Sequence, residues 1–328
     1  MAPQRPSFDE LPLRKGDPPF SAWGLYGMDD QLGTLNLLTP EVIREASKEI
    51  KTGVRIGLDQ PLNYIVRPSH KRLPLTHKII HKAPRPVHDD EITMNTQVSS
   101  QWDGFRHYGY LESKLFYNGA TADELSGSNS TTNLGIHSWC REGIVGRGIL
   151  LDYLGWVQSQ QGRSYDLLSD HDIPVADLEK CAAAQNVEIK HGDILLIRSG
   201  FSAGYAGLTE EEKVAWALND PPRWAGVKTS IETARWIWEK GFSACAGDAP
   251  GFERVPNIGY VNEEGGLGKL CLHEVILSGW GMPIGEIFDL EKLSEECAKQ
   301  GRWSFFLTSM PLNIPGGVAS PPNAVAIF

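Results

Sequence analysis

Two runs decide how this chain folds: Gly148-Ile149-Leu150-Leu151-Asp152-Tyr153 and Asp193-Ile194-Leu195-Leu196-Ile197-Arg198. Each is a short block of β-branched and leucine side chains bounded by glycine or charge, with no polar residue on alternate positions. That pattern fits a strand covered on both faces, the habit of parallel sheets flanked by helices. Further out, Ala244–Ala246, Trp303-Ser304-Phe305-Phe306-Leu307 and Ala324-Val325-Ala326-Ile327-Phe328 read the same way. Between them lie segments with helix start and stop signals. Thr39-Pro40-Glu41 opens a helix to about Lys51, with proline at the first helical position. Thr209 and Glu212 form a capping-box pattern ahead of Lys213–Leu218. Ser230 starts a helix that Gly241 stops, and Asp289 caps another that ends before Gly301. Strands and helices alternate throughout, which predicts an α/β fold.

The 328 residues contain no repeat, low-complexity tract or linker, so one domain spanning 1–328 is expected, with a long N-terminal segment over 1–60. Hydrophobic residues make up 41% and charged residues 22%, which excludes wholesale disorder. Lys and Arg number 31 against 41 Asp and Glu, a net charge of −10. That balance argues against nucleic acid and against an anionic membrane surface as partners. No stretch approaches the roughly 20 apolar residues of a membrane span, and the first twenty residues show no secretory leader. Cys140, Cys181, Cys245, Cys271 and Cys297 are scattered and odd in number, with no C-x-x-C pair. This is the usage of a reducing compartment, so a cytoplasmic protein that handles a small molecule is expected.

Chemistry concentrates in Asn95–Tyr108. Gln97, Ser99, Gln101 and Asp103 alternate, so an extended segment would present all four on one face. Such a face can hold a cation or a polar substrate, and Gly104 can turn the chain to bring His107 back over it. The same alternation also describes a half-exposed edge strand followed by an exposed histidine. His273-Glu274 begins like a zinc-protease helix, but Leu277 stands where the second histidine belongs, and the motif fails. His273 and Glu286 are either ligand and carboxylate partners or unrelated. Asp248, after the strand Ala244–Ala246, reads as a site residue or as a turn cap. His77, His81 and His88 fit no metal-ligand spacing and read as a flexible surface segment. No G-x-G-x-x-G follows a strand, and no P-loop is present.

Taken with the blocks Trp23-Gly24, Asp29–Pro40, Gly146–Asp152, Gly192–Arg198, Gly247-Asp248, His273, Glu286 and Pro311–Gly317, the chain resembles the cyclase-like metal-dependent hydrolases. That superfamily includes bacterial kynurenine formamidase and isatin hydrolase. The resemblance implies a single swivelling β/β/α domain, a homodimer or tetramer, and a 1–60 segment packing on a neighbouring subunit. Its signature, H-x-G-T-H-x-D-x-P-x-H, places a metal-ligating aspartate at Asp103 and the acid/base histidine at His107. His273 and Glu286 match the distal ligands. Gln97 and Gln101 stand where the two signature histidines belong, a departure that resembles a fungal branch associated with secondary metabolism. With Gln97, Gln101, Asp103, His273 and Glu286 as the set, oxygen donors dominate. Such a site takes one Mn²⁺ or Mg²⁺ in preference to Zn²⁺, or no metal at all.

The function implied is hydrolysis of an amide or lactone of an aromatic or polyketide-like metabolite. His107 and Asp103 carry the proton chemistry, Gln97, Gln101 and Asp248 contact substrate, and Trp102, Phe105 and Tyr108 wall it. A metal-independent cyclase, dehydratase or isomerase is the alternative, and a lapsed enzyme that only binds a small molecule is the third reading.

Overall fold

The structure is a computed structural model that describes residues 5–160, 162–256 and 266–328. Thirteen strands are found among them: β1 (Arg55–Gly57), β2 (Thr76–His81), β3 (His88–Thr93), β4 (Gln101–Asp103), β5 (Ile144–Leu151), β6 (Asp172–Ile173), β7 (Ile194–Ile197), β8 (Gly226–Val227), β9 (Ala244–Gly247), β10 (Ile284–Glu286), β11 (Ser304–Ser309), β12 (Ala319–Ser320) and β13 (Ala324–Ile327). Nine of them form one mixed sheet in the order β1-β13-β11-β5-β7-β9-β10-β4-β12. Its centre, β5-β7-β9-β10, is parallel. Both flanks are antiparallel, so the chain is α/β as expected. Ile149, Leu150, Leu151 and the whole of β7 are buried, which is why their sequence carries no alternation. By contrast β11 alternates between buried and half-buried residues, as a strand with one freer face does.

Among the described residues, eight α-helices connect or flank the strands: α1 (Pro40–Ala46), α2 (Ala122–Ser126), α3 (Tyr153–Ser159), α4 (Val175–Ala184), α5 (Phe201–Ala206), α6 (Glu210–Ala217), α7 (Ile231–Lys240) and α8 (Glu291–Gln300). The caps act as the local sequence dictates. Thr39 accepts from the Val42 N–H, Glu212 N–H bonds to Thr209, and the Thr233 N–H donates to Ser230 at 3.1 Å. Gly241 and Gly301 stop α7 and α8 with φ of 74° and 62°. Two boundaries differ from expectation. Helix α1 ends at Ala46, before a single 3₁₀ turn, and Leu290 rather than Asp289 is the cap of α8, although Asp289 still accepts the Glu291 N–H.

The long N-terminal segment buries its apolar residues on its own chain. Phe8, Trp23, Leu35 and Leu38 belong to the same core cluster as the central strands. Trp23 Nε1 donates to the Ser278 carbonyl at 2.6 Å and Thr34 Oγ1 to that of Ser243 at 2.7 Å. Residues 1–4 of the segment lie outside the described residues. The stretch around His77, His81 and His88 differs from expectation. It is a paired antiparallel ribbon, β2 with β3, exposed over most of its length. Ile79, Ile80, Ile92 and flanking threonines supply β-propensity, and the His81 and His88 rings stack at 4.8 Å.

Candidate active site

The site is built where β4 meets β10. Their antiparallel register places Gln101 opposite Glu286 and Trp102 opposite Gly285. Gln101, Asp103 and Glu286 therefore share one face of the sheet, and Trp102 points to the other. Gly285 is required there: a Cβ would crowd Trp102, Phe288 and Ala246. Only Gln101–Asp103 is strand, so the extended reading of Gln97–Asp103 is corrected. Residues before β4 turn instead, because their own side chains bind backbone: Asn95 Oδ1 accepts the Gln97 N–H, Ser99 Oγ donates to Pro61 O, and Ser100 Oγ donates to Ile287 O. Ser99 is thereby aimed away from the site. Gln97 nonetheless returns to it, its Nε2 donating to Asp103 Oδ1 at 2.7 Å and lying 3.2 Å from His107 Nε2.

After β4 the chain turns at Gly104, whose N–H donates to Val318 O so closely that a Cβ would strike that carbonyl. The His107 N–H bonds back to Gly104 O, and the imidazole sits with Nε2 3.7 Å from Asp103 Oδ2. His273 enters from the opposite side, at the start of a π-helical turn over Glu274–Gly279. Its Nδ1 lies 2.6 Å from Glu253 Oε2 and its Nε2 3.1 Å from Glu286 Oε1. Gln101 Nε2 closes the network, donating to Glu286 Oε2 at 2.8 Å and Asp103 Oδ1 at 3.2 Å. The residue after Glu286, Ile287, is β-branched at φ 54°, a costly left-handed conformation pinned by its N–H to Ala249 O.

Electrostatics follow from burial. His107 is held below the ordinary histidine range, chiefly by burial, with Asp103 opposing, so it is neutral near pH 7. Burial also works against charge on His273, but Glu253 and then Glu286 outweigh it and raise that imidazole well above its usual value. Glu286 is pushed up to about 7 by burial and by the charge of Asp103. Glu253, also buried, is held low by His273.

The residues fit a divalent ion. Asp103, His273 and Glu286 offer donor atoms within 4.8 Å of one another. Glu253 on Nδ1 leaves His273 Nε2 facing the other two, the arrangement by which a carboxylate orients a ligating histidine. Three buried carboxylates against one imidazolium leave an excess of negative charge, and Glu286 answers it by taking up a proton. The buried Gln101 Oε1 has no partner among the described residues.

Above this floor opens a pocket of about 470 Å³, lined among others by Arg72, Gln97, His107, Tyr108, Trp224 and His273. Several sequence-expected residues are not brought to it. Trp102 is fully buried, packs edge-on against Phe288 and donates Nε1 to Ser309 Oγ. Phe105 is equally buried, between Tyr117 and Trp139. Neither walls the pocket, because a strand and a tight turn alternate their side chains between site and core. Asp248 is a cap: its carboxylate accepts from Ser199 N and Oγ, Gly200 N and Ser202 N at the entrance to α5. Glu274 ties loops together through the N–H groups of Leu111 and Cys271. Sequence reasoning missed Glu253, Arg72 and Trp224. The one signal for Glu253 is an acid inside the apolar, glycine-flanked run Gly251-Phe252-Glu253.

The fold and this carboxylate–imidazole–carboxamide face define a class, and comparison with known proteins agrees. The family model described as putative cyclase matches residues 58–254, and the chain belongs to that family. No curated protein sequence matches the chain. Among solved structures, one described as a novel cyclase is 33% identical, with a TM-score of 0.81 over 94% of this chain and 99% of its own. Isatin hydrolase A from Labrenzia aggregata, 14% identical, aligns over 89% of this chain and 98% of its own with a TM-score of 0.54. The Ralstonia solanacearum isatin hydrolase A is likewise 14% identical, with a TM-score of 0.53 over 88% and 98%. These two share the fold.

Proposed function

We propose that the chain is a small-molecule hydrolase that opens an amide or a cyclic ester of an aromatic or polyketide-like metabolite. The observation that carries this reading is His107, a neutral imidazole at the pocket floor 3.7 Å from the buried Asp103 carboxylate. A base must be unprotonated at working pH and beside a group that stabilises it once it accepts a proton. His107 takes the proton of the attacking water as the carbonyl is attacked, and delivers it to the departing nitrogen or oxygen. Asp103 stabilises the imidazolium that forms between those two steps. Gln97 Nε2, bridging Asp103 and the His107 ring, fixes their separation. A divalent ion held by Asp103, His273 and Glu286, with Gln101 Oε1 available, would supply Lewis acidity toward the carbonyl and acidify water. Oxygen donors favour Mn²⁺ or Mg²⁺ there. Tyr108 and Trp224 provide apolar surface for a ring.

A second reading, a metal-independent cyclase, dehydratase or isomerase, is favoured by a different observation. Both glutamine amides turn their NH₂ ends to the carboxylates, doing with N–H donors part of what a cation would do. The glutamines also support placing the chain in the fungal-type branch. We assign it further to the cytoplasm as a homodimer or tetramer.

Elemental analysis of unchelated protein, with turnover of aryl amides and lactones before and after chelation, separates the two. Stoichiometric metal and lost turnover are expected; full activity without metal would sink the hydrolytic reading. His107→Ala should lower kcat by about 10²–10⁴ with an unchanged melting temperature. An unaltered rate removes His107 from the chemistry.

A further inference from the structure

One side of the pocket turns hydrogen-bond donors toward its interior. His70 and Arg72, just before β2, and Asn95, just after β3, come from the open end of the ribbon where Thr76 pairs with Thr93, and line it. Arg72 spends Nη1 on the Gln97 carbonyl at 3.0 Å. No carboxylate lies within ion-pair distance of it among the described residues. Arg147, Arg198, Arg254 and Arg302 all pair with Asp or Glu, whereas Arg72, like Arg5 and Arg106, does not; of these three only Arg72 lines this pocket. Ser69 Oγ lies 2.8 Å from His70 Nδ1; with the hydroxyl donating, the ring proton sits on Nε2. Asn95 Oδ1 accepts the Gln97 N–H, which leaves its NH₂ end to donate. The acceptors of this wall are used within the protein, and apart from Arg72 Nη1 its donors have no partner among the described residues. The floor below carries Asp103, Glu253 and Glu286, which repel an anion, so a cationic wall is what lets an acidic ligand enter. Arg72 is near enough for its charge to act on both His107 and Glu286.

We infer that Arg72, seconded by Asn95 and His70, is a carboxylate-recognition subsite, and that the pocket takes aromatic substrates bearing an ionised carboxylate. The planar guanidinium fork suits a carboxylate. Tyr108 and Trp224 line the space for the ring, and the reacting carbonyl lies at the His107 end. This specifies the substrate class of the hydrolytic reading and rests on its assignment of the pocket; the test does not depend on turnover.

The test is direct binding of 1-naphthoate and the isosteric neutral 1-naphthamide to the full chain by calorimetry, with and without prior chelation. Naphthoate should bind at least about tenfold tighter in both preparations, the scale of a charge-assisted pair. Arg72→Gln should bring the two probes within about twofold, and Arg72→Lys should keep a preference for the acid. Melting temperatures identify a variant that fails to fold; should Arg72→Gln do so, the Arg72→Lys result decides. Equal affinities in the wild type, absence of binding by either probe, or a preference that survives Arg72→Gln or vanishes on chelation would each overturn the inference. Loss of turnover in His107→Ala with no acid preference would leave hydrolysis standing and remove the subsite. The reverse pair of results would keep the subsite and remove hydrolysis.

Discussion

Asp248 shows how a buried acid can serve architecture beside a site without belonging to it. Its two oxygens accept four donors from Ser199, Gly200 and Ser202, and this satisfies the backbone where β7 passes into α5. Removing the carboxylate orphans all four donors in a dry environment. Asp248→Ala should therefore lower stability by about 3–5 kcal/mol, whereas Asp248→Asn, which keeps one acceptor, should cost about 1–2. Urea denaturation checks both. A loss under about 1 kcal/mol for alanine would mean that the donors find other partners. Glu253 has the contrary character. It is buried too, but its side-chain partner His273 is itself part of the chemical face. What separates a structural from a functional acid here is the identity of the partner, not burial.

Among the elements, the N-terminal segment and the π-helical turn after His273 hold each other in place. The Thr34 N–H donates to Gly281 O and the Ala22 N–H to Gly279 O, both at 2.8 Å. Gly33 approaches Gly281 so closely that a Cβ on it would overlap the Gly281 carbonyl, and its φ of 53° is itself left-handed. Gly33→Ala adds backbone strain to a steric clash that no flexible side chain can relieve. The expected cost is about 3 kcal/mol or more. A melting temperature within about 2 °C of wild type would refute this account of the contact. Because the contact braces the turn that carries His273, a folded Gly33→Ala protein should also show reduced turnover.

For the whole molecule, pH reports the balance of buried imidazoles. His171 stacks on Tyr165 at 4.1 Å, and its Nε2 meets the Tyr153 hydroxyl at 2.9 Å. Burial lowers its proton affinity; Asp172 and Asp177 oppose this and Arg163 adds to it. The unfolded chain therefore takes a proton at a pH where the folded protein still resists. The stability His171 contributes is intact above about pH 6.5 and declines as pH falls from there through its lower folded value. His171→Phe keeps the ring stack but cannot titrate. Its free-energy difference from wild type, by urea denaturation, should be smaller at pH 5.0 than at pH 7.5. An unchanged difference would show that His171 titrates alike in both states. His273 and Glu286 act in the opposite direction, since both are raised by folding, so only the paired comparison isolates the His171 contribution.

The residue order alone determined the central strands, the capped helices and the α/β class, because burial on both faces and capping chemistry are local and leave local marks. It also marked Gln97, Gln101, Asp103, His107, His273 and Glu286 through the family pattern they share. Which side chains face the pocket was decided only by tertiary structure. A three-residue strand and a glycine turn send Asp103 and His107 to the site while Trp102 and Phe105, their immediate neighbours, go to the core. Glu253 and Arg72 were illegible for the same reason. Neither sits in a local pattern, and each acquires its role from a partner or cavity that distant parts of the chain bring to it. The physical cause is that hydrogen bonds and charges act through space, across separations that periodicity along the chain does not encode.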